Sequence, residues 1–272
     1  MELVWAFLLV AGVTVAAVTA LLLVRRRAPE GGFFQDGDRA AGFFGVLATG
    51  FAVLLGFIVF LAFESYDQSR QGAETEALLV AQQFETAQFM PANVRAELSG
   101  ELVCYGRSVV SQEWPRAEAG SQGNQINPWG AELFRTLRTV DPESPAEQAA
   151  YAKWLDQTSD REQARSDRIH GAEGVIPSPL WLVLFFSAVA IFLFTMFFAD
   201  SGERAVVQAV QIGTVVAVIT ATLLLINFLD NPFHSGLGGV RPVAMERTLG
   251  ILEEEARIAN ESGALPCDTT GA

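Results

Sequence analysis

Two cysteines and two histidines are all the chain contains of the soft metal ligands and thiol chemistry, in 272 residues. That scarcity excludes a disulfide-dense secreted scaffold. Basic side chains are also few, 18 against 31 acidic ones for a formal charge of -13, so there is no electrostatic footprint for nucleic acid. His170 and His234 stand alone, outside any metal-ligand spacing, and the chain carries no G-x-S-x-G, no P-loop and no H-E-x-x-H. Gly236, Gly238 and Gly239 follow a helical run rather than a strand and read as a turn. No catalytic constellation, metal site or cofactor cradle can be assembled, and the chain reads as a non-enzyme. Charge is thin overall at 18%, whereas half the residues are hydrophobic and the mean hydropathy is +0.29, which excludes disorder and an ordinary soluble protein. A membrane protein with a sizeable acidic portion remains.

Four apolar runs are long enough to cross a hydrocarbon core of about 30 Å as helices. They cover residues 3–24, 41–63, 180–199 and 205–229, and no Asp, Glu, Lys, Arg or His lies mid-membrane in any of them. That argues against a proton-coupled transporter or pump. The first run reads as an uncleaved anchor rather than a signal peptide, because it lacks a basic start and its small residues lead into more leucines. Alternating segments of a closed barrel are absent. The fold class is an all-α integral membrane protein. Its parts are spans 1 and 2 (1–63), a helical acidic extramembrane domain (64–179), spans 3 and 4 (180–229) and a tail with an amphipathic helix (230–272).

Arg25-Arg26-Arg27 directly follows the first span with no basic residue before it, which places that loop in the cytoplasm. By alternation the N-terminus, the 64–179 domain and the tail lie on the extracytoplasmic side of the membrane. Arg161, Arg165, Arg168, Arg241 and Arg247 pull the other way, but less densely.

Residues 64–179 hold 18 acidic and 10 basic side chains. Span 2 has no breaker before Pro91 except Gly72, so it extends beyond the membrane with Ala77, Val80, Phe84 and Ala87 as a buried stripe. Val94, Leu98, Leu102, Tyr105 and Val109 form a second stripe, which Pro115 is expected to stop. Residues 116–130 read as a surface loop, and a short helix follows from about Trp129 to Thr139. Ser144-Pro145-Ala146-Glu147 is a capped helix start leading to His170. Met245, Leu249, Leu252, Ala256 and Ala259 mark the tail helix, and Asn260-Glu261-Ser262 matches a glycosylation acceptor.

With these elements placed, the order of landmarks resembles the bestrophin-like family of bacterial membrane proteins. The matching residues are Phe63-Glu64-Ser65-Tyr66, Glu113-Trp114-Pro115, Arg168, Ile176-Pro177-Ser178-Pro179-Leu180-Trp181 and Asp230-Asn231-Pro232-Phe233, over about residues 1–258. The resemblance implies kinship with bestrophins, which are pentameric ion channels whose second helix lines the pore. Two departures stand out. Bestrophins keep their termini and polar domain in the cytosol, opposite to the arginine cluster here, and no acidic cluster reproduces a calcium clasp.

Gly42, Gly45, Thr49, Ala52 and Gly56 make a small-residue face on span 2, beside Phe57 and Phe60. It serves close helix packing, or a pore whose phenylalanines form a dry constriction. Glu64, Asp67 and Asp230 mark the membrane surface, or in a symmetric oligomer become carboxylate rings that favour cations. Gln208, Gln211, Thr214 and Asn227 on span 4 suit interhelical hydrogen bonds as well as an ion path. The expected function is a homo-oligomeric ion channel with self, membrane lipid and inorganic ions as partners. A non-conducting scaffold or sensor binding a partner through its acidic domain is the alternative. Cys104 and Cys267 fall on one side of the membrane: they pair if that side is oxidising and stay free thiols if it is cytosolic.

Overall fold

The structure, a computed structural model, describes residues 3–120, 126–172, 174–258 and 265–272. Every regular element among them is helical. In order these are α1 (Leu3–Arg25), α2 (Gly37–Ala87), α3 (Ala92–Ser108), a π turn (Val109–Glu113) and α4 (Trp114–Glu118). Then come α5 (Pro128–Leu137), α6 (Pro145–His170), α7 (Ser178–Met196), α8 (Ala205–Leu229) and α9 (Val243–Ile258). The chain divides into two compact units, Met1–Glu64 with Val175–Asp230, and Ser65–Gly174 with Asn231–Ala272. The glycosylation acceptor at 260–262, the Ala259 end of the tail stripe and part of the 116–130 loop lie outside the described residues.

The first unit holds the four helices long and apolar enough to span a bilayer, and the chain is an integral membrane protein. α1 packs along α8, with Ala17 and Leu21 against Ile212 and Val216. Away from the core a phenylalanine cluster joins the start of α2 to the end of α7: Phe34 and Phe44 stack on Phe194 at 5.6 and 5.7 Å. The loops after α1 and α7 are tied together. Asp200 accepts from the Gly31 and Gly202 amides at 2.9 and 2.7 Å, and Arg25 donates to the Ser201 and Glu203 carbonyls. Gln208 joins the same knot by donating to the Asp200 carbonyl and to Glu203. α7 ends at Met196, three residues short of the expected 199, because Phe197 to Ala199 turn to make this knot.

The second unit is a helical core with Val80, Phe84, Val94, Leu98, Leu102, Tyr105 and Val109 all buried, as both stripes predict. α6 opens with the expected capping box: Ser144 accepts from the Glu147 amide at 3.2 Å while Glu147 accepts from the Ser144 amide at 2.9 Å. Pro115 does not stop the helix, contrary to expectation. Helical backbone runs on to Glu118, because the five residues before Trp114 adopt the wider π spacing and the Trp114 amide bonds back to Val109. The looser turn absorbs the missing proline N–H and the ring clash that would break a regular α-helix.

At Gly72 the backbone of α2 lies directly against the backbone of α6. A Cβ there would lie 2.4 Å from the Arg168 amide nitrogen and 2.8 Å from the Ala164 carbonyl oxygen, and backbone cannot yield as a side-chain tip would. Gly72→Ala is therefore expected to destabilise the protein by about 1–3 kcal/mol despite alanine's better helix propensity, read as a lower thermal midpoint in detergent.

Candidate functional site

On the membrane-spanning part of α2, Phe51, Ile58 and Ala62 are buried at 5% exposure or less. The opposite arc carries Gly45, Thr49, Ala52, Gly56, Phe57 and Phe60, and all six are exposed. A Cβ built on Gly42, Gly45, Gly50 or Gly56 meets nothing within 4 Å. Packing inside the chain therefore does not explain the small-residue face. Only 11–17% of the most apolar 18-residue window of each span is buried within the chain. A groove of about 850 Å³ between α1, α7 and α8 is lined mainly by Ala, Val, Leu, Ile and Phe and offers no reactive group.

Of the three carboxylates expected near a pore mouth, Glu64 is exposed. Asp67 pairs with Arg70 at 3.3 Å and accepts from Gln71. Asp230 is buried at the C-cap of α8, and its Oδ1 accepts from the Val175 and Ile176 amides at 2.7 and 3.0 Å, which anchors the segment leading into α7. That oxygen is used structurally.

In the second unit four of the resemblance landmarks, Glu113, Trp114, Arg168 and Phe233, meet around one buried ionic cluster. Arg168, fully buried, donates through Nε and Nη2 to Glu76 and through Nη2 to Glu113 at 2.6 Å, with its guanidinium over the Trp114 ring at 5.4 Å. Tyr105 donates to Glu76 at 2.6 Å, and Asn127 donates to Glu113 at 2.7 Å. Phe233 meets Trp114 edge to face at 5.4 Å. Seven residues earlier on α6, Arg161 donates to Gln83 at 2.7 Å and lies over the Tyr105 ring. Burial alone would raise the Glu113 carboxyl, but Arg168 and Arg165 outweigh it and hold it below the ordinary value. Burial likewise works against the Arg168 charge, and Glu76 and Glu113 reverse that effect. Arg168, Glu76 and Glu113 thus neutralise one another inside the core.

Sequence reading assigned no buried role to Glu76, Gln83, Asn127 or Arg161. The signal was present: Glu76 and Gln83 stand seven apart beside the apolar stripe of α2, and Arg161, Arg165 and Arg168 recur at four and three on α6. Cys104 and Cys267 form a disulfide with Cα atoms 5.8 Å apart.

Glu101 on α3 holds its proton well above the ordinary carboxylate range. Burial, opposed by the Thr136 hydroxyl and reinforced by Glu97 and Glu132, raises it from 4.5 to about 7. The fold thus favours the neutral form, and the stability it contributes is lost as pH rises from 4.5 through about 7. Glu101→Gln is expected to remove that loss, leaving the variant more stable than the parent at alkaline pH by on the order of 3 kcal/mol. Thermal midpoints of both proteins across the pH range measure it.

Among curated proteins none matches the chain. Among solved structures it is similar to the crystal structure of a bacterial bestrophin homologue from Klebsiella pneumoniae, with a TM-score of 0.65, 14% identity, and coverage of 93% of this chain and 99% of that one. A single-substitution variant of a Klebsiella pneumoniae bestrophin homologue aligns at TM-score 0.64 and 14% identity, covering 93% and 99%. A membrane protein carrying a glycine-to-alanine change aligns at 0.64 and 12%, covering 97% and 99%. At these identities the likeness establishes the fold alone. The Bestrophin-like domain is matched over residues 11–245, which is most of the sequence, and the chain belongs to the bestrophin-like family.

Proposed function

We propose that this chain is one subunit of a homo-oligomeric ion channel whose pore is lined by α2 and prefers cations weakly. The observation that carries the reading is the exposed arc of Gly45, Thr49, Ala52 and Gly56, which nothing among the described residues covers although it lies within a membrane span. Phe57 and Phe60 stand beside it, each 60% exposed, and supply a dry constriction. Glu64 is the mouth carboxylate best placed to form a charged ring, because Asp67 is paired and Asp230 is engaged by backbone amides. Five copies is the stoichiometry that the family kinship favours. Membrane lipid covers the remaining apolar surface.

The channel sits in the bacterial inner membrane with residues 64–179 and the tail on the extracytoplasmic side. Two features support that orientation: Arg25-Arg26-Arg27 at the far end of α1, and a disulfide in the polar unit, since such bonds persist in oxidising compartments. Reporter fusions near residues 30 and 120 are expected on opposite sides of the membrane, the former cytoplasmic.

Phe57→Ala and Phe60→Ala are expected to raise single-channel conductance in planar bilayers by relieving the constriction. Glu64→Gln removes a ring of charge at nearly constant size and is expected to move the reversal potential in a salt gradient toward lower cation preference. A monomer in detergent, or purified protein that never conducts under any gradient, would favour the scaffold or sensor that binds a partner through the acidic helical domain.

A further inference from the structure

Residues 265–272 lie along α3 and are fastened there at several points besides the disulfide. Arg107 donates to the Asp268 carbonyl at 3.1 Å, Gln112 of the π turn to the Thr270 carbonyl at 3.2 Å, and Trp129 of α5 to the Gly271 carbonyl at 2.8 Å. Asp268 accepts from the Thr270 and Ala272 amides and from the Thr270 hydroxyl, which shapes the end of the chain into a hook. Gly271 has φ +75° and sits where a Cβ would be 2.4 Å from the Ser108 amide nitrogen, so the strap meets backbone directly. Leu265 and Pro266 lie over Gly100. The segment is thus built to dock on α3, the π turn and Trp129.

The Cys104–Cys267 bond differs in accessibility at its two ends. Cys104 is fully buried, while Cys267 is half-buried. The noncovalent anchors from Arg107 and Gln112 are exposed hydrogen bonds, which water competes for once the covalent tie is gone. We propose that residues 265–272 are a thiol-releasable strap, locked over α3, the π turn and Trp129 by Cys104–Cys267 and opened by a dithiol reductant on the extracytoplasmic side. A thiolate of the dithiol attacks the Cys267 sulfur, the S–S bond breaks, and Cys104 leaves and takes up a proton. The second thiol of the dithiol resolves the mixed disulfide. The donor ends as a disulfide and both cysteines as thiols. Release uncovers Gln112 and Trp129 and frees the outer face of the π turn, whose last residue, Glu113, grips Arg168. The inference rests on the extracytoplasmic placement proposed above and not on conduction.

The test uses full-length protein in detergent. Arg257 is exposed and is the last tryptic site, so a cut there liberates residues 258–272. Before reduction, no free thiol is expected, and the cut fragment should stay linked to the body. After treatment with a dithiol and alkylation, two thiols should be blocked and the fragment should separate. The thermal midpoint should then fall by about 10 °C. The C104S/C267S double variant should behave as the reduced protein does. Two free thiols before reduction, or a fragment that stays bound with an unchanged midpoint after it, overturns the strap. In intact cells, a membrane-impermeant maleimide should label the protein only after mild reduction. Failure to label while the purified protein releases its fragment overturns the extracytoplasmic step alone.

Discussion

A guanidinium that water cannot reach has to be neutralised by groups the fold supplies, and Arg168 sets that demand for the whole second unit. Its two carboxylates come from elements far apart in sequence, Glu76 on α2 and Glu113 at the end of the π turn. Each carboxylate is in turn held by a neutral donor, Tyr105 on one and Asn127 on the other. Removing Arg168 or one of its two carboxylates breaks a buried ion pair, at a cost of about 3–5 kcal/mol in comparable sites, and the cluster ties α2, α3, α6 and the π turn together. The surrounding apolar residues add burial energy around this cluster.

The π turn follows from the same demand. An α-helical course through 109–118 would bring Pro115 against the carbonyl four residues before it. Widening five residues avoids the clash and leaves Glu113 directed at Arg168 and Arg165 while Trp114 reaches the Val240 carbonyl and the Phe233 ring. The Glu-Trp-Pro run is therefore a structural device: the proline makes the wide turn necessary, and the turn aims the two residues before it.

Glycines in the two units answer different needs. At Gly72 the absent side chain lets two helix backbones touch, and the contact is made within the chain. At Gly45 and Gly56 the absent side chains face nothing in the chain, although their spacing on a helix is of the kind used for close packing. Among the described residues nothing lies within 4 Å of a Cβ at these positions, and this difference in surroundings separates the packing glycine from the open ones.

Much of the fold is legible in the sequence because its causes are local or periodic. Runs of apolar residues long enough to span hydrocarbon define four helices, and three-and-four stripes define α3 and the buried face of α2. Ser144-Pro145-Ala146-Glu147 announces the start of α6 through bonds made within four residues. Pro115 misled because a proline reports a forbidden hydrogen bond and not how the neighbouring turn adjusts to it. Asp230 read as free surface charge because its partners, the Val175 and Ile176 amides, lie more than fifty residues away. The same distance hid the roles of Glu76 and Arg161, and whether Cys104 would meet Cys267 across 163 residues. The sequence by itself determined an all-helical membrane protein with four spans, since bilayer thickness and helix periodicity act on contiguous residues. Only the tertiary structure decided which polar groups are neutralised, which glycine faces are filled and where the tail is fastened, because those depend on side chains that meet after the helices have packed.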